Sequence, residues 1–200
     1  MRSRPSDQRS LGFLEVGSLA RGVVSADAMV KTAPVSLALL APVSGGRMLV
    51  AVDGQVAAVE AAMALGIETA AEDLVDALFI PDLHPDVPAA LQPDTERILA
   101  EALGLVETTT AAACVRAADA ARKTAAIRIV RLRLAMGISG KGFLQITGKV
   151  ADVQAGVAAA ATAVAHPEFL VRQEVISSPH EDIRDWLGRP LPDDSDPFDH

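Results

Sequence analysis

Apolar and polar positions along this chain alternate between short dense runs and longer helical stretches, in an order that recurs. Residues 11–16 form a short apolar run that reads as a strand. Ser25 then reads as the cap of a helix through Ala33, with Asp27 in its first turn and Lys31 in its last, both favourable to the helix dipole. Apolar runs at 35–43 and 47–52 flank Ser44-Gly45-Gly46, a hairpin signature. Residues 55–65 have helical character, with Val56, Val59, Ala62 and Met63 on one face and Gly66 as the expected stop. Residues 74–80 read as a strand, followed by Pro81 and a short helix near residues 85–91.

The second half repeats this plan. Strand-like residues 103–108 precede an Ala-rich helix through Ala125, and the run at 127–136 meets residues 143–147 across a turn at Gly140. A helix at 150–164, a strand at 169–176 and a short helix at 180–187 complete it. The correspondence extends to residue identities. Leu11-Gly12 with Glu15 recurs as Leu103-Gly104 with Glu107, and Ala26-Asp27-Ala28 with Lys31 recurs as Ala118-Asp119-Ala120 with Lys123, each 92 positions on. Gly54 and Val56 recur as Gly148 and Val150 at an offset of 94, and His84 and Asp86 as His180 and Asp182 at 96. An offset that grows in steps of two means insertions in connecting loops with the elements retained. The order βαββαβ plus a terminal helix, twice, predicts α+β architecture with two tandem ferredoxin-like domains. Their expected bounds are 11–97 and 98–187, between a flexible arm at 1–10 and an acidic, Pro-rich tail at 188–200.

Composition narrows the function classes. Half of the 200 residues are hydrophobic, enough to pack a core in each half, although small domains bury a smaller fraction of their surface and lean on neighbours. The formal charge of −8 and the absence of a long basic run argue against nucleic acid and anionic membranes. With no Tyr and one Trp, platforms for stacking single-stranded bases are missing as well. A single cysteine, Cys114, excludes an internal disulfide and fits a reducing cytoplasm. The first ten residues lack the apolar core of a signal peptide, and charged or polar residues break every apolar run before it could span a bilayer.

No catalytic constellation emerges, and the chain is read as a non-enzyme. Glu15 and Glu107 look like a carboxylate pair, but duplication accounts for both, and each reads as a structural acid near its own sheet. His84 and His180 each precede a short helix and read as helix-start residues rather than general bases. The four histidines lack metal-ligand spacing, so no metal and no cofactor are expected. The stretch from Gly137 to Gly142 resembles a phosphate loop only in part: Ala135 stands where the first Gly should be, Gly142 replaces the Ser or Thr after Lys141, and a strand follows. It reads either as a hairpin turn needing positive φ or as a rim whose backbone N–H groups face a shared axis.

Taken together, the Gly-x-x-Glu openings, the Ala-Asp-Ala-x-x-Lys helices, the glycine turns, the Gly-x-Val-Ala-x-Val helix starts and the histidines before the last helices resemble bacterial microcompartment shell proteins of the tandem-domain type, in unpermuted order. The resemblance covers residues 11–187. It implies a homotrimer whose six domains form a pseudohexagonal tile, packed with hexameric and pentameric shell proteins around enzymes in the bacterial cytoplasm. It also implies that the loop between the second and third strands lines a central pore for small metabolites. Matched by position, those loops are Ser44-Gly45-Gly46 and Ile138-Ser139-Gly140, with Arg47 and Lys141 one residue behind them, an arrangement expected to favour small polar or anionic solutes. Lys31 and Lys123 match the family's tile-edge lysines. Two departures are visible. Asp82 and Ser178 stand where many members carry an edge arginine, and neither loop has the cysteine with which some tandem members hold an iron–sulfur cluster. The alternatives are a trimeric ferredoxin-like regulatory module binding a small ligand, or a small enzyme built on Glu15 or His180.

Overall fold

The computed structural model describes residues 10–91, 99–164 and 166–188, so the arm before Ser10 and the tail after Gly188 lie outside the described residues. It divides into two compact units, residues 1–83 and 84–200.

In the first unit, β1 (Ser10–Val16) leads into α1 (Leu19–Thr32), then β2 (Ser36–Val43), β3 (Arg47–Gly54), α2 (Val56–Ala70) and β4 (Leu74–Ile80). The sheet order is β2-β3-β1-β4 and every neighbouring pair is antiparallel. This is the ferredoxin-like arrangement, in which each helix crosses one face of the sheet. Leu14, Val16, Val50 and Val52 from the strands meet Met29 from α1 and Val59, Ala62 and Met63 from α2 in one core.

The second unit opens with a short helix, α3 (Asp86–Ala89), and then repeats the plan as β5 (Ala102–Thr108), α4 (Ala111–Thr124), β6 (Arg128–Leu134), β7 (Gly142–Gly148), α5 (Val150–Ala163) and β8 (Leu170–Ile176), closed by α6 (Glu181–Gly188). Its sheet order, β6-β7-β5-β8, is the same order again, antiparallel throughout. The short helix that the repeat pattern attaches to the first copy therefore packs with the second unit. Backbone N–H of His84 donates to Asp119 Oδ1 at 2.8 Å, and Arg122 Nε donates to Asp86 Oδ2 at 2.6 Å.

Two helix boundaries differ from expectation. The first helix starts seven residues earlier, at Leu19, capped by Ser18, whose hydroxyl accepts from Arg21 N. Ser25 is buried inside the helix rather than capping it, and Asp27 lies beyond the first turn. Gly22 and the adjacent Val23-Val24 have weak intrinsic helix preference, which hides the start from a local reading; packing against the sheet supplies what propensity does not. Gly66 does not stop α2, which runs on to Ala70. A side chain at Gly66 would come within 2.7 Å of Met29 Cγ and Sδ and 2.9 Å of Leu14 Cδ1, so this glycine lets α2 lie close on α1 and β1. The left-handed residue is Ala71 (φ 50°), whose N–H returns to the carbonyl of Ile67.

Candidate functional site

Each hairpin between the second and third strands of a unit ends in a glycine turn. In the first unit Ser44-Gly45-Gly46 joins β2 to β3, with Gly45 and Gly46 at φ of 85° and 72°, a left-handed region that side chains enter at a cost. Both glycines are exposed, and the space beside Gly46 is open for 4 Å around an added Cβ. In the second unit residues 135–141 make a longer connection, with Ala135, Gly137, Ser139 and Gly140 all at positive φ. This loop is braced internally: Ala135 N donates to Lys141 O at 2.8 Å, Lys141 N to Ile138 O at 3.1 Å and Gly140 N to Ala135 O at 3.4 Å. The Gly140 amide is thus used inside the loop, which suits the hairpin-turn reading of this stretch at that position. Ser139 is exposed and Ile138 half-buried.

The cations behind the turns are not isolated charges. Arg47 Nη1 lies 2.5 Å from Glu15 Oε1, and Lys141 Nζ lies 2.6 Å from Glu107 Oε1. Register explains the match. Glu15 lies opposite Leu49 in the β1–β3 ladder and Arg47 two residues along on the same face. In the second ladder Glu107 stands opposite Phe143, with Lys141 two residues before it. The two pairs differ in burial: Glu15 is fully buried, whereas Glu107 and Lys141 both reach solvent. The repeated Glu residues, read from sequence as structural acids, thus anchor the base of each turn. That pairing was legible in principle, since both partners are duplicated, but only strand register shows that they meet.

Lys31 and Lys123 lie on α1 and α4, away from the turns in sequence, and each is held by an acid one helical turn back. Lys31 Nζ is 2.6 Å from Asp27 Oδ2 and Lys123 Nζ is 2.7 Å from Asp119 Oδ2. The histidines take the helix-start role: His84 Nδ1 accepts from Asp86 N at 3.2 Å and His180 Nδ1 from Asp182 N at 3.3 Å. Cys114 is buried in α4, and desolvation pushes its thiol up to about 12 despite a hydrogen bond with Thr108. Among the described residues no group of three His, Cys, Asp or Glu side chains is placed to hold a metal ion, and no helix is long and apolar enough to cross a membrane.

The duplicated ferredoxin-like sheet with a glycine turn at the same hairpin defines a tandem α+β two-domain protein. Consistent with that, the BMC domain family matches residues 10–83 and again residues 102–179. The chain belongs to this family and is a bacterial microcompartment shell protein with two BMC domains in tandem. It is 37% identical over 175 residues to the bacterial microcompartment shell protein PduT of Citrobacter freundii, covering 88% of this chain and 95% of the relative. It is 28% identical over 206 residues to the carboxysome assembly protein CcmO of Synechococcus elongatus, covering 96% and 73%. Among solved structures it resembles a microcompartments protein of Desulfitobacterium hafniense, with a TM-score of 0.77, 40% identity and coverage of 89% and 99%. Family membership places the protein in a microcompartment shell in the bacterial cytoplasm.

Proposed function

We propose that three copies of this chain form a pseudohexagonal shell tile whose six turns, Ser44-Gly45-Gly46 and Ile138-Ser139-Gly140 alternating, surround a central pore for small polar metabolites. The observation that carries the reading is the recurrence of one fold with one glycine turn at the same hairpin in both units, which is what a ring of equivalent rims requires. Each BMC unit would contribute one turn, and other shell proteins would meet the tile at its edges, with Lys31 and Lys123 as edge contacts.

The ion pairs refine the electrostatics of such a rim. Arg47 and Lys141 sit directly behind the turns, but each is matched by a carboxylate at hydrogen-bonding distance. Close pairing cancels most of the field a lone cation would project. Selection then falls chiefly to turn groups, the hydroxyls of Ser44 and Ser139 and whatever turn amides remain unshared, and to the apolar bulk of Ile138 on alternate positions. Small polar solutes fit this rim, with anions favoured only as far as turn donors reach them. The role is structural and permissive rather than catalytic, since the duplicated acids hold turns in place.

Light scattering on the purified full chain, with electron microscopy of the same sample, tests the assembly. The expected mass is three times the 20.8 kDa chain, with flat arrays forming alone or beside other shell proteins. A monomer or dimer at working concentration would remove the pore from this reading.

A further inference from the structure

Strand β6 of the second unit carries three arginines where its counterpart in the first unit carries none. Arg128, Arg131 and Arg133 stand opposite Thr147, Gln145 and Phe143 in the β6–β7 ladder, and the register shift between Ile129 and Arg131 keeps all three on one face of the sheet. That face is turned away from α5. Gln145 pairs with Leu105 on β5, and the adjacent Gly104, on the opposite face, is the position that meets Val153 and Val157. The equivalents of the arginines, 92 positions earlier on β2, are Ser36, Leu39 and Ala41, opposite Asp53, Ala51 and Leu49. Duplication by itself would make the two faces alike. The second copy instead has three cations in a row, and Thr147 where the first copy has Asp53.

The middle arginine ties this row to the end of α6. Arg131 is buried to 5% exposure, and its Nη2 donates to the carbonyl of Leu187 at 3.4 Å. The last carbonyls of a helix carry partial negative charge, so a cation is well placed there. Arg184 steadies the same helix, donating to the carbonyls of Pro179 and Glu101 at 2.9 and 3.3 Å. The chain therefore leaves α6 at Gly188, beside the centre of the arginine row. On either side, Arg128 is exposed and Arg133 is half-buried, with its Nε donating to Met136 O at 3.0 Å. Glu107 and Glu174, on the same face of β5 and β8, lie farther off across β7, with Lys141 and Arg172 beside them.

The sequence that follows Gly188 is complementary to this row. Residues 189–200 lie outside the described residues, and they carry Asp193, Asp194, Asp196 and Asp199 against a single cation, Arg189. We propose that this acidic tail docks on the arginine row of its own chain, with Asp193, Asp194 and Asp196 against Arg128 and Arg133, on either side of the Arg131 that holds the end of α6. The reach suffices. At about 3.3 Å per extended residue, Asp193 extends to about 20 Å from Leu187, and the row from Arg128 to Arg133 spans about 17 Å. The chemistry is matched as well, because the planar guanidinium fork takes a carboxylate through two parallel hydrogen bonds. The contact lies within one chain and is independent of the tile. It occupies a basic face that other acidic segments could reach only by displacing the tail, and salt weakens it as it weakens other exposed ion pairs.

The test uses the full chain carrying Arg128→Lys and Arg133→Lys, which keep both charges and supply amines. A water-soluble carbodiimide then joins amine to carboxylate without a spacer. Peptide mass spectrometry of the single-chain band is expected to show position 128 or 133 linked to Asp193, Asp194 or Asp196, with those links lost in about 0.5 M salt. No link to the tail, or links found only between chains, overturns the proposal. A second measurement needs no cross-linker. At low salt, a protease that cuts before aspartate is expected to trim the tail of the Arg128→Gln, Arg133→Gln chain about fivefold faster than that of the unmodified chain, and at high salt to trim both equally fast. Equal trimming at low salt also overturns the docking.

Discussion

The duplicated carboxylates show how one residue in two copies can carry different energetic weight. Glu15 is fully buried beside Arg47, whereas Glu107 and Lys141 share their pairing with solvent. Removing one partner of a buried pair strands the other charge, whereas exposed pairs contribute little. Glu15→Gln is therefore expected to destabilise the first unit by about 1–3 kcal/mol, tempered by the partial exposure of Arg47, and Glu107→Gln to cost less than about 1 kcal/mol. Denaturant midpoints of the two variants check this, and equal shifts would sink the distinction. Cys114 gives a second expectation. With its thiol raised from 9.0 to about 12 by burial, it stays protonated and closed to alkylation by iodoacetamide at neutral pH in the folded protein, and reacts only after unfolding. The sign follows for stability. The unfolded thiol ionises first, so this residue favours the fold fully below about pH 9, and that contribution falls as pH rises towards about 12.

At the level of elements, glycines set how closely helix and sheet approach. Gly12 and Gly104 are equivalent positions on β1 and β5, and a Cβ at either would collide with the helix above it. At Gly12 the two nearest atoms are Cγ and Sδ of Met63, at 2.7 Å, with the β-branched Val59 Cγ1 behind them at 2.9 Å. At Gly104 they are Val157 Cγ2 at 2.6 Å and Ile146 Cγ1 at 2.7 Å. A thioether can rotate aside, but β-branched side chains are held to one rotamer. Gly104→Ala, which meets only β-branched side chains, is accordingly expected to cost about 1–3 kcal/mol through overpacking, and Gly12→Ala less, since Val59 is the one β-branched contact there. Thermal unfolding of both variants reads the difference, and a reversed order would count against this account of the packing. The same close approach explains the misplaced stop at Gly66. Glycine in an isolated stretch reads as a helix end, because its flexibility is visible in sequence while the helix it must accommodate is not.

For the whole molecule, the edge role of Lys31 and Lys123 leads to a separable outcome. Each lysine is tied to an aspartate on its own helix, and alanine at either site preserves helix propensity while removing the charge. The double variant Lys31→Ala, Lys123→Ala is expected to keep the mass of the assembled tile and lose extended arrays, as seen by light scattering and electron microscopy; arrays indistinguishable from the unmodified protein would remove both lysines from the edge. The duplication, the βαββαβ order, the hairpin turns and nearly every strand were legible in the sequence, because alternation, turn glycines and repeated identities are local signals along the chain. The family followed from those signals in their order. Four things depended on tertiary structure: the start of α1 at Leu19, the continuation of α2 past Gly66, the pairing of Glu15 with Arg47 and of Glu107 with Lys141, and the packing of the short α3 helix on α4. Each is settled by residues far apart in sequence, through strand register or helix packing, and a residue's partners across a sheet are set by the fold and not by its neighbours in the chain.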